Sequence, residues 1–350
     1  MSVTNTINLM NTIWQKGSAQ YQERIPQATR DNVEAVRYAM LSDENVVIAN
    51  EFIGSLLNNI VRKALITKIF TNPLKSLKKG KKPLGDTIEE VYTNFIKGQQ
   101  FDETGANLLK RNLPDVKTVY HRMNYKQTYP VTISQELLQK AFRSWENLEA
   151  FINDIINKLY TSAELDEFIN MKKALSSAIK KNAVIVIDID DPLASEANAK
   201  EFIKVVKTYS RMMTFPSDAY NAYLTAQSKD KKAITTLTSK EDQVLIIDAV
   251  TDVSVSVDVL ASVFNMSVAE FNDTKKIVID AFPDDPAGGK RTCAMLIDDA
   301  FLQFYDDFFV FKKFENGLGL YDNYYLHVAQ TQAFSILVNA VAFQTPVTNS

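Results

Sequence analysis

The sequence has little of what most protein chemistry is built on. It holds a single cysteine, Cys293, which excludes an internal disulfide framework and a cysteine-ligated zinc site. Its two histidines, His121 and His327, leave little for metal binding or acid–base work. The ten glycines are mostly scattered, and nucleotide folds need glycine where backbone approaches phosphate. No cofactor and no metal site is therefore expected. No apolar run approaches the roughly 20 residues that cross a bilayer, so no membrane partner is expected. Residues 1–20 are polar and lack a signal-peptide core. Charge of one sign is also lacking: 39 basic against 42 acidic residues give a net −3. That excludes a bulk polycation that wraps nucleic acid, while leaving room for a local basic patch.

What is present suffices for a folded body. The chain is 46% hydrophobic and 23% charged over 350 residues, enough for two domains or one elaborated domain. No internal repeat is visible. The first 30 residues are polar and weakly periodic and read as an arm. Ser42 reads as an N-cap, followed by Ala49, Ile53, Leu56, Leu57, Ile60, Val61, Ala64 and Leu65 at helical spacing. Residues 71–86 hold two prolines, two glycines and five lysines and read as a loop. Thr87–Phe101 and Val116–Ile133 are rich in β-branched and aromatic residues, with polar Asp102–Pro114 between them. They predict a long hairpin with a ragged tip. A strand of about 15 residues reaches ~50 Å, beyond a compact body with a radius of gyration near ~20 Å. Such a hairpin projects and needs a partner, because an isolated hairpin is only marginally stable.

A helix is predicted from Ser144 to Lys180. Leu148, Phe151, Ile152, Ile155, Ile156, Leu159, Tyr160 and Ala163 hold one face, which slips at Glu164–Asp166. A slip of that kind marks a kink or a change of packing partner. Beyond Lys181 the pattern turns to mixed α/β. Buried strands are expected at 183–189, 243–248, 276–282, 293–298 and 304–314, with helices at Ala197–Met213 and Val255–Phe264. Residues 317–344 are apolar and aromatic, strand-like over Tyr321–His327, and are expected to return to the long helix. The tail 346–350 is polar.

Each candidate for chemistry has a plainer explanation. Asp188, Asp190 and Asp191 end an apolar strand, as in phosphatases that present a nucleophile beside Mg²⁺. Pro192 follows at once, however, and no downstream Gly-Asp-Gly-x-x-Asp exists; turn chemistry accounts for these acids. Asp306 and Asp307 between aromatics read as exposed acids on an edge strand, not as a two-metal polymerase pair. Gly288 to Thr292 breaks the phosphate-loop spacing and reads as a turn. Neither histidine has a nucleophile at a useful spacing, and Cys293 reads as a small buried hydrophobe. Lys75, Lys78, Lys79, Lys81 and Lys82 are the densest charge on the chain. Five cations suit contact with several DNA phosphates; equally, they form an exposed lysine loop or one that pairs with the acidic strands of a neighbouring subunit. No enzyme is expected.

A long projecting hairpin, a long helix and an arm suit contact between copies. Residues 72–92 (NPLKSLKKGKKPLGDTIEEVY), 112–121 (NLPDVKTVYH), 144–167 (SWENLEAFINDIINKLYTSAELDE), 257–267 (VDVLASVFNMS) and 317–344 (GLGLYDNYYLHVAQTQAFSILVNAVAFQ) resemble the major capsid protein of small podoviruses of the Bacillus Salasvirus group. The resemblance runs in order from Arg30 to Gln344. It implies an α+β chain with the Johnson fold of tailed-phage capsids. Residues 1–71 would be the N-terminal arm and helix, and 72–133 the extended loop. Residues 134–183 would be the peripheral domain with its spine helix, 184–316 the axial domain, and 317–350 the return to the peripheral domain with the tail. Some relatives carry a further C-terminal immunoglobulin-like domain, whose surface function is not transferred to this chain. The implied role is a shell of pentamers and hexamers around packaged double-stranded DNA, with scaffolding and portal partners, assembled in a bacterial host cytoplasm. Tyr92, Phe95, Phe101 and Tyr120 are the expected interface anchors. The alternatives are a cellular nanocompartment shell of the same fold, a Mg²⁺-dependent phosphatase using Asp188, and a nucleic-acid-binding module.

Overall fold

A computed structural model describes residues 3–32, 35–36, 39, 70–82, 87–101, 103, 109–134, 145–226, 233–255, 275–283, 289–319 and 321–346. The chain divides into two units. Unit one takes Met1–Asn72, Lys126–Asp166 and Phe308–Ala329; unit two takes Pro73–Tyr125, Glu167–Asp307 and Gln330–Ser350.

Unit one opens on two helices within the stretch that reads as an arm. These are α1 (Val3–Lys16) and α2 (Ala19–Arg24). Ser18 caps α2, its hydroxyl accepting from the Tyr21 N–H at 3.2 Å. Met10, Ile13, Tyr21, Ile25 and Ala28 are buried. Asn11 donates to the Ala28 carbonyl and accepts its N–H, at 3.0 and 2.9 Å. Trp14 donates from Nε1 to the Ile25 carbonyl at 2.6 Å. Gly17 sits where the Tyr21 ring would lie 2.7 Å from any Cβ, so the turn needs glycine for close approach. Among the described side chains of α1, Met10 and Ile13 are buried. The helix expected behind Ser42 lies outside the described residues.

The strands of unit one come from β3 (Tyr125–Ser134), β8 (Leu302–Asn316) and β9 (Tyr321–Phe334), ordered β3-β9-β8. Phe311 stacks on Tyr324 at 5.8 Å. The helix α3 (Trp145–Lys180) spans 36 residues, close to the expected extent. Its first part belongs to unit one, where Tyr160 stacks on Phe309 at 5.7 Å and Asp166 accepts from the Tyr129 hydroxyl at 2.7 Å. The division between units falls between Asp166 and Glu167, at the slip in the apolar face.

Unit two is built on a five-stranded sheet ordered β4-β10-β7-β5-β6. Its strands are β4 (Ile185–Asp188), β5 (Gln243–Asp248), β6 (Lys275–Ile279), β7 (Lys290–Asp298) and β10 (Ala340–Pro346). β10 runs parallel to β4 and antiparallel to β7; β5 runs antiparallel to β7 and parallel to β6. The central strands read as continuous apolar runs because both sheet faces are covered. Successive side chains alternate between those faces. Val244, Ile246, Met295, Ile297 and Ala342 pack against Phe168, Met171, Leu175 and Ala178 of α3, with Leu74 and Leu77. Leu245, Ile247, Ala294, Leu296, Val341 and Phe343 pack against Ala199, Phe202, Ile203 and Val206 of α4 (Glu196–Met212). Ser195 caps α4 through the Asn198 N–H at 3.2 Å. A four-residue helix, α5 (Tyr223–Ala226), follows α4. Asp248 ends β5 and caps α6 (Ala249–Ser254). Residues 256–264 of the helix expected at 255–264 lie outside the described residues.

Two expectations need correction here. Residues 317–344 do not simply return to the long helix: Ile336 and Leu337 reach the core cluster of its second part, but β10 is an inner strand of the five-stranded sheet. The hairpin strands are also shorter than read. β1 (Thr87–Thr93) pairs antiparallel with β2 (Val116–Arg122), from Thr87↔Arg122 to Thr93↔Val116. Val116–Ile133 is thus two strands, β2 and β3, in two different sheets. Met123–Asn124 separates them, and similar composition on both sides hides the break.

Candidate assembly interface

The hairpin has two faces set by strand alternation. Ile88, Glu90, Tyr92, Lys117, Val119 and His121 point inward. Tyr92 and Val119 pack against the core of unit two, and the Tyr92 hydroxyl donates to the Thr235 carbonyl at 2.5 Å. Burial pushes the Tyr92 phenol above its ordinary range. His121 Nε2 lies 2.7 Å from Glu90 Oε2. The Lys117 ammonium sits 5.6 Å from the Tyr223 ring centre and 3.3 Å from Asp115. Asn94 closes the paired region. Its N–H donates to Asp115 at 2.9 Å, its amide donates to the Ala233 carbonyl at 3.2 Å, and its carbonyl oxygen accepts from Thr235 N–H at 3.0 Å.

The outer face and the tip are the opposite. Tyr120 is 63% exposed and donates to Glu89 Oε1 across the ladder at 3.1 Å. That carboxylate raises the Tyr120 phenol. Beyond Asn94, Phe95 is 53% exposed, Phe101 85% and Leu109 93%. Ile96, Leu113 and Val91 are exposed with them. Large apolar residues gathered on one exposed segment mark a contact surface. Phe95, Phe101 and Tyr120 are exposed, whereas the Tyr92 ring is packed against the chain's own core. Leu109 and Leu113 are missed because Asp102–Pro114 reads as a polar stretch, and Ile96 because it falls within a segment that reads as strand. The signal was there, in leucines set among polar residues with no helical or strand period.

The lysine loop turns two of its five lysines inward. A 3-10 turn at Pro73–Leu77 buries Leu74 and Leu77. Residues 79–82 then run beside β8: Lys79 N–H donates to Phe304 at 2.9 Å, Asp306 N–H to Gly80 at 2.8 Å, and Lys82 N–H to Asp306 at 2.9 Å. Gly80 holds φ +85°, a conformation glycine adopts without strain. Lys78 Nζ lies 2.5 Å from Glu167 and 2.9 Å from Asp306; Lys82 Nζ lies 2.9 Å from Asp307. The side chains of Lys78 and Lys82 are only 13% and 5% exposed. Burial alone lowers the Lys78 pKa, but the two carboxylates outweigh it and the net shift is upward. Asp306 and Asp307 are thus not exposed edge acids but the partners of lysines in the same chain. Lys75, Lys79 and Lys81 remain exposed.

The chemical candidates are tied up elsewhere. Asp188 pairs with Lys290 at 2.6 Å. Arg291 joins Asp191 at 3.2 Å to Asp248 at 2.8 Å. Gly289, at φ +59°, turns the chain into β7, so Lys290 to Thr292 are strand. Cys293 is buried, and that burial pushes its thiol up to about 12. His327 Nδ1 faces the Thr128 hydroxyl at 2.9 Å. Among the described residues, no three His, Cys, Asp or Glu side chains gather as a metal site, and no helix is long and apolar enough to cross a membrane.

A five-stranded sheet covered on both faces, a 36-residue helix and a hairpin with an apolar tip are the parts of a tailed-phage capsid subunit. Solved structures share that Johnson-type fold. The capsid structure of Staphylococcus phage Andhra aligns with a TM-score of 0.63 at 14% identity, over 80% of this chain and 86% of that chain. The capsid of Ralstonia phage GP4 aligns at 0.53 and 9% identity, over 81% and 93%. The profile of the Phi29-like phage major capsid proteins matches residues 10–344, and the chain belongs to that family. The major capsid protein of Bacillus phage PZA is 35% identical over 345 residues, 98% of this chain and 74% of that protein. That of Streptococcus phage Cp-1 is 25% identical over 354 residues, 96% of this chain and 93% of that protein. The protein is a structural protein of the virion capsid that assembles with copies of itself, and it is not an enzyme.

Proposed function

We propose that the chain forms the pentamers and hexamers of an icosahedral head around double-stranded DNA. The hairpin tip would be the donor side of each contact. The observation that carries this is the split character of the hairpin. Its base is docked on its own body through Tyr92, Val119 and Asn94, while Phe95, Phe101, Leu109 and Leu113 stand exposed beyond it. Two different patches then meet at each contact, and a heterologous contact of that kind closes into rings. An aromatic side chain that leaves water at such a contact contributes about 1.5–3 kcal/mol.

In this reading residues 72–133 are the extended loop, 144–180 the spine helix, and 184–316 the axial domain, to which β10 adds a strand. A scaffolding protein and a portal are the expected assembly partners in the host cytoplasm. Lys75, Lys79 and Lys81 are the exposed lysines of the loop and would be the ones that meet packaged DNA or a neighbour. The nanocompartment and phosphatase readings have no observation in their favour, and Asp188 is paired with Lys290. Deletion of residues 98–112 tests the contact. Soluble protein that no longer forms closed shells under electron microscopy, alone or with its scaffolding protein, is the expected result. Shells of normal size would refute it.

A further inference from the structure

The excursion that carries the hairpin leaves the body after Lys82 and returns at Asn124. Both ends are fixed to neighbouring points on β8 and β9. At the outgoing end, Lys78 lies between Glu167 and Asp306, and Lys82 lies on Asp307. The Gln330 side chain donates to Glu167 at 2.6 Å and to Asp306 at 3.1 Å, and Thr331 donates to Asp307 at 3.0 Å. At the return, Asn124 N–H donates to the Gln330 carbonyl at 3.4 Å, and its amide donates to the Gln332 carbonyl at 2.6 Å. Its side-chain oxygen accepts from Gln332 N–H at 2.8 Å. Gln330 thus serves both ends, with its side chain on the ion cluster and its carbonyl toward Asn124.

The geometry points to a positioning role: Lys78 and Lys82, with Glu167, Asp306 and Asp307, form a root clamp that sets where the assembly hairpin leaves the body. Taking five charged groups out of water is costly, and such clusters are weak sources of stability. Their best-attested use is to enforce one register. Here the lysine spacing does that. Lys78 and Lys82 face the acids, whereas Lys79 and Lys81 are exposed. A slip of one residue along β8 would bring Lys79 or Lys81 to only one of the two acidic positions and a residue without a cation to the other, so only the native register fills both. Without the clamp, an excursion of roughly 40 residues keeps its closure and is held in direction only by the docking of Tyr92, Val119 and Asn94. The inference rests on the hairpin contact proposed above.

The test combines hydrogen-exchange mass spectrometry with electron microscopy on the full chain. One variant neutralises the Lys78 half of the cluster at once, Lys78→Met with Glu167→Gln and Asp306→Asn, and keeps the Lys82–Asp307 pair, so that no lone charge stays buried. A second, Asn124→Ala, releases only the return end. The expected result is at least tenfold faster exchange in peptides 87–93 and 116–122, unchanged exchange in 243–248 and 290–298, and loss of closed shells. If exchange in 243–248 also rises in the triple variant, Asn124→Ala decides. Acceleration confined to the hairpin supports the clamp, and no acceleration overturns it. Normal hairpin exchange with normal shells in both variants also overturns it. The 98–112 deletion separates the two ideas. If deletion abolishes shells while clamp variants assemble normally, the clamp fails and the contact stands. If deleted protein still forms shells, the contact itself fails.

Discussion

Alternation on a strand decides what a single residue does here, and Tyr92 shows it. Val91 and Tyr92 are neighbours of similar strand propensity, yet one is exposed and the other lies against the core. Composition marks both as strand residues; only the register Val91↔Thr118 and Tyr92↔Lys117 separates them. Cys293 is the simpler case, since a lone cysteine inside an apolar strand is legible as buried. Its thiol, pushed up to about 12 by burial, leads to a prediction. Its folded pKa lies above its unfolded one, so the neutral thiol favours the fold below about pH 9. That contribution fades as pH climbs toward 12. Iodoacetamide at pH 8 is expected to label the native protein far more slowly than the urea-unfolded chain. In urea melts, the stability lost by Cys293→Ala should shrink between about pH 8 and 11. Rapid native labelling, or a constant difference across that range, would contradict this.

At the scale of elements, the long helix was the most legible part, because its apolar spacing persists for ten turns with a single slip. The slip has a physical counterpart: the chain passes from one unit to the other between Asp166 and Glu167. Past it, Phe168, Met171, Leu175 and Ala178 face the five-stranded sheet, whereas Leu165 is exposed. Leu175→Ala is therefore expected to cost about 2–5 kcal/mol in denaturant unfolding, and Leu165→Ala no more than about 0.5 kcal/mol. Equal losses would mean that the face does not change there. The buried strands β5 and β7 were readable for a similar reason: strands covered on both faces become unbroken apolar runs. The N-terminal helices were not, since the polar bonds of Asn11 and Trp14 hold them as much as any apolar stripe. The split between β2 and β3 was also hidden, because pairing partners lie far along the chain. The lysine loop gave its charge but not its direction, as nothing local to residues 75–82 announces Glu167, Asp306 and Asp307.

Assembly is a property of the whole molecule, and in the contact proposed above the tip of one copy meets a different patch on the next. Each copy must then give one patch and receive another. A copy without residues 98–112 still receives but no longer gives, so it interrupts a ring instead of merely staying out of it. In an equal mixture, a ring of six drawn at random contains no deleted copy only about once in sixty times. Co-expression of deleted and intact chains is therefore expected to reduce closed shells far more than twofold, with open fragments in their place. A yield that falls only in proportion to the intact chain would mean that deleted copies are excluded before ring closure, and that the tip acts in recognition ahead of closure. The same experiment with Phe101→Ser in place of the deletion tests the energetic side. Losing one exposed aromatic weakens each contact without removing it. Its poisoning is expected to be partial and to fade as total protein concentration rises, whereas poisoning by the deletion is not.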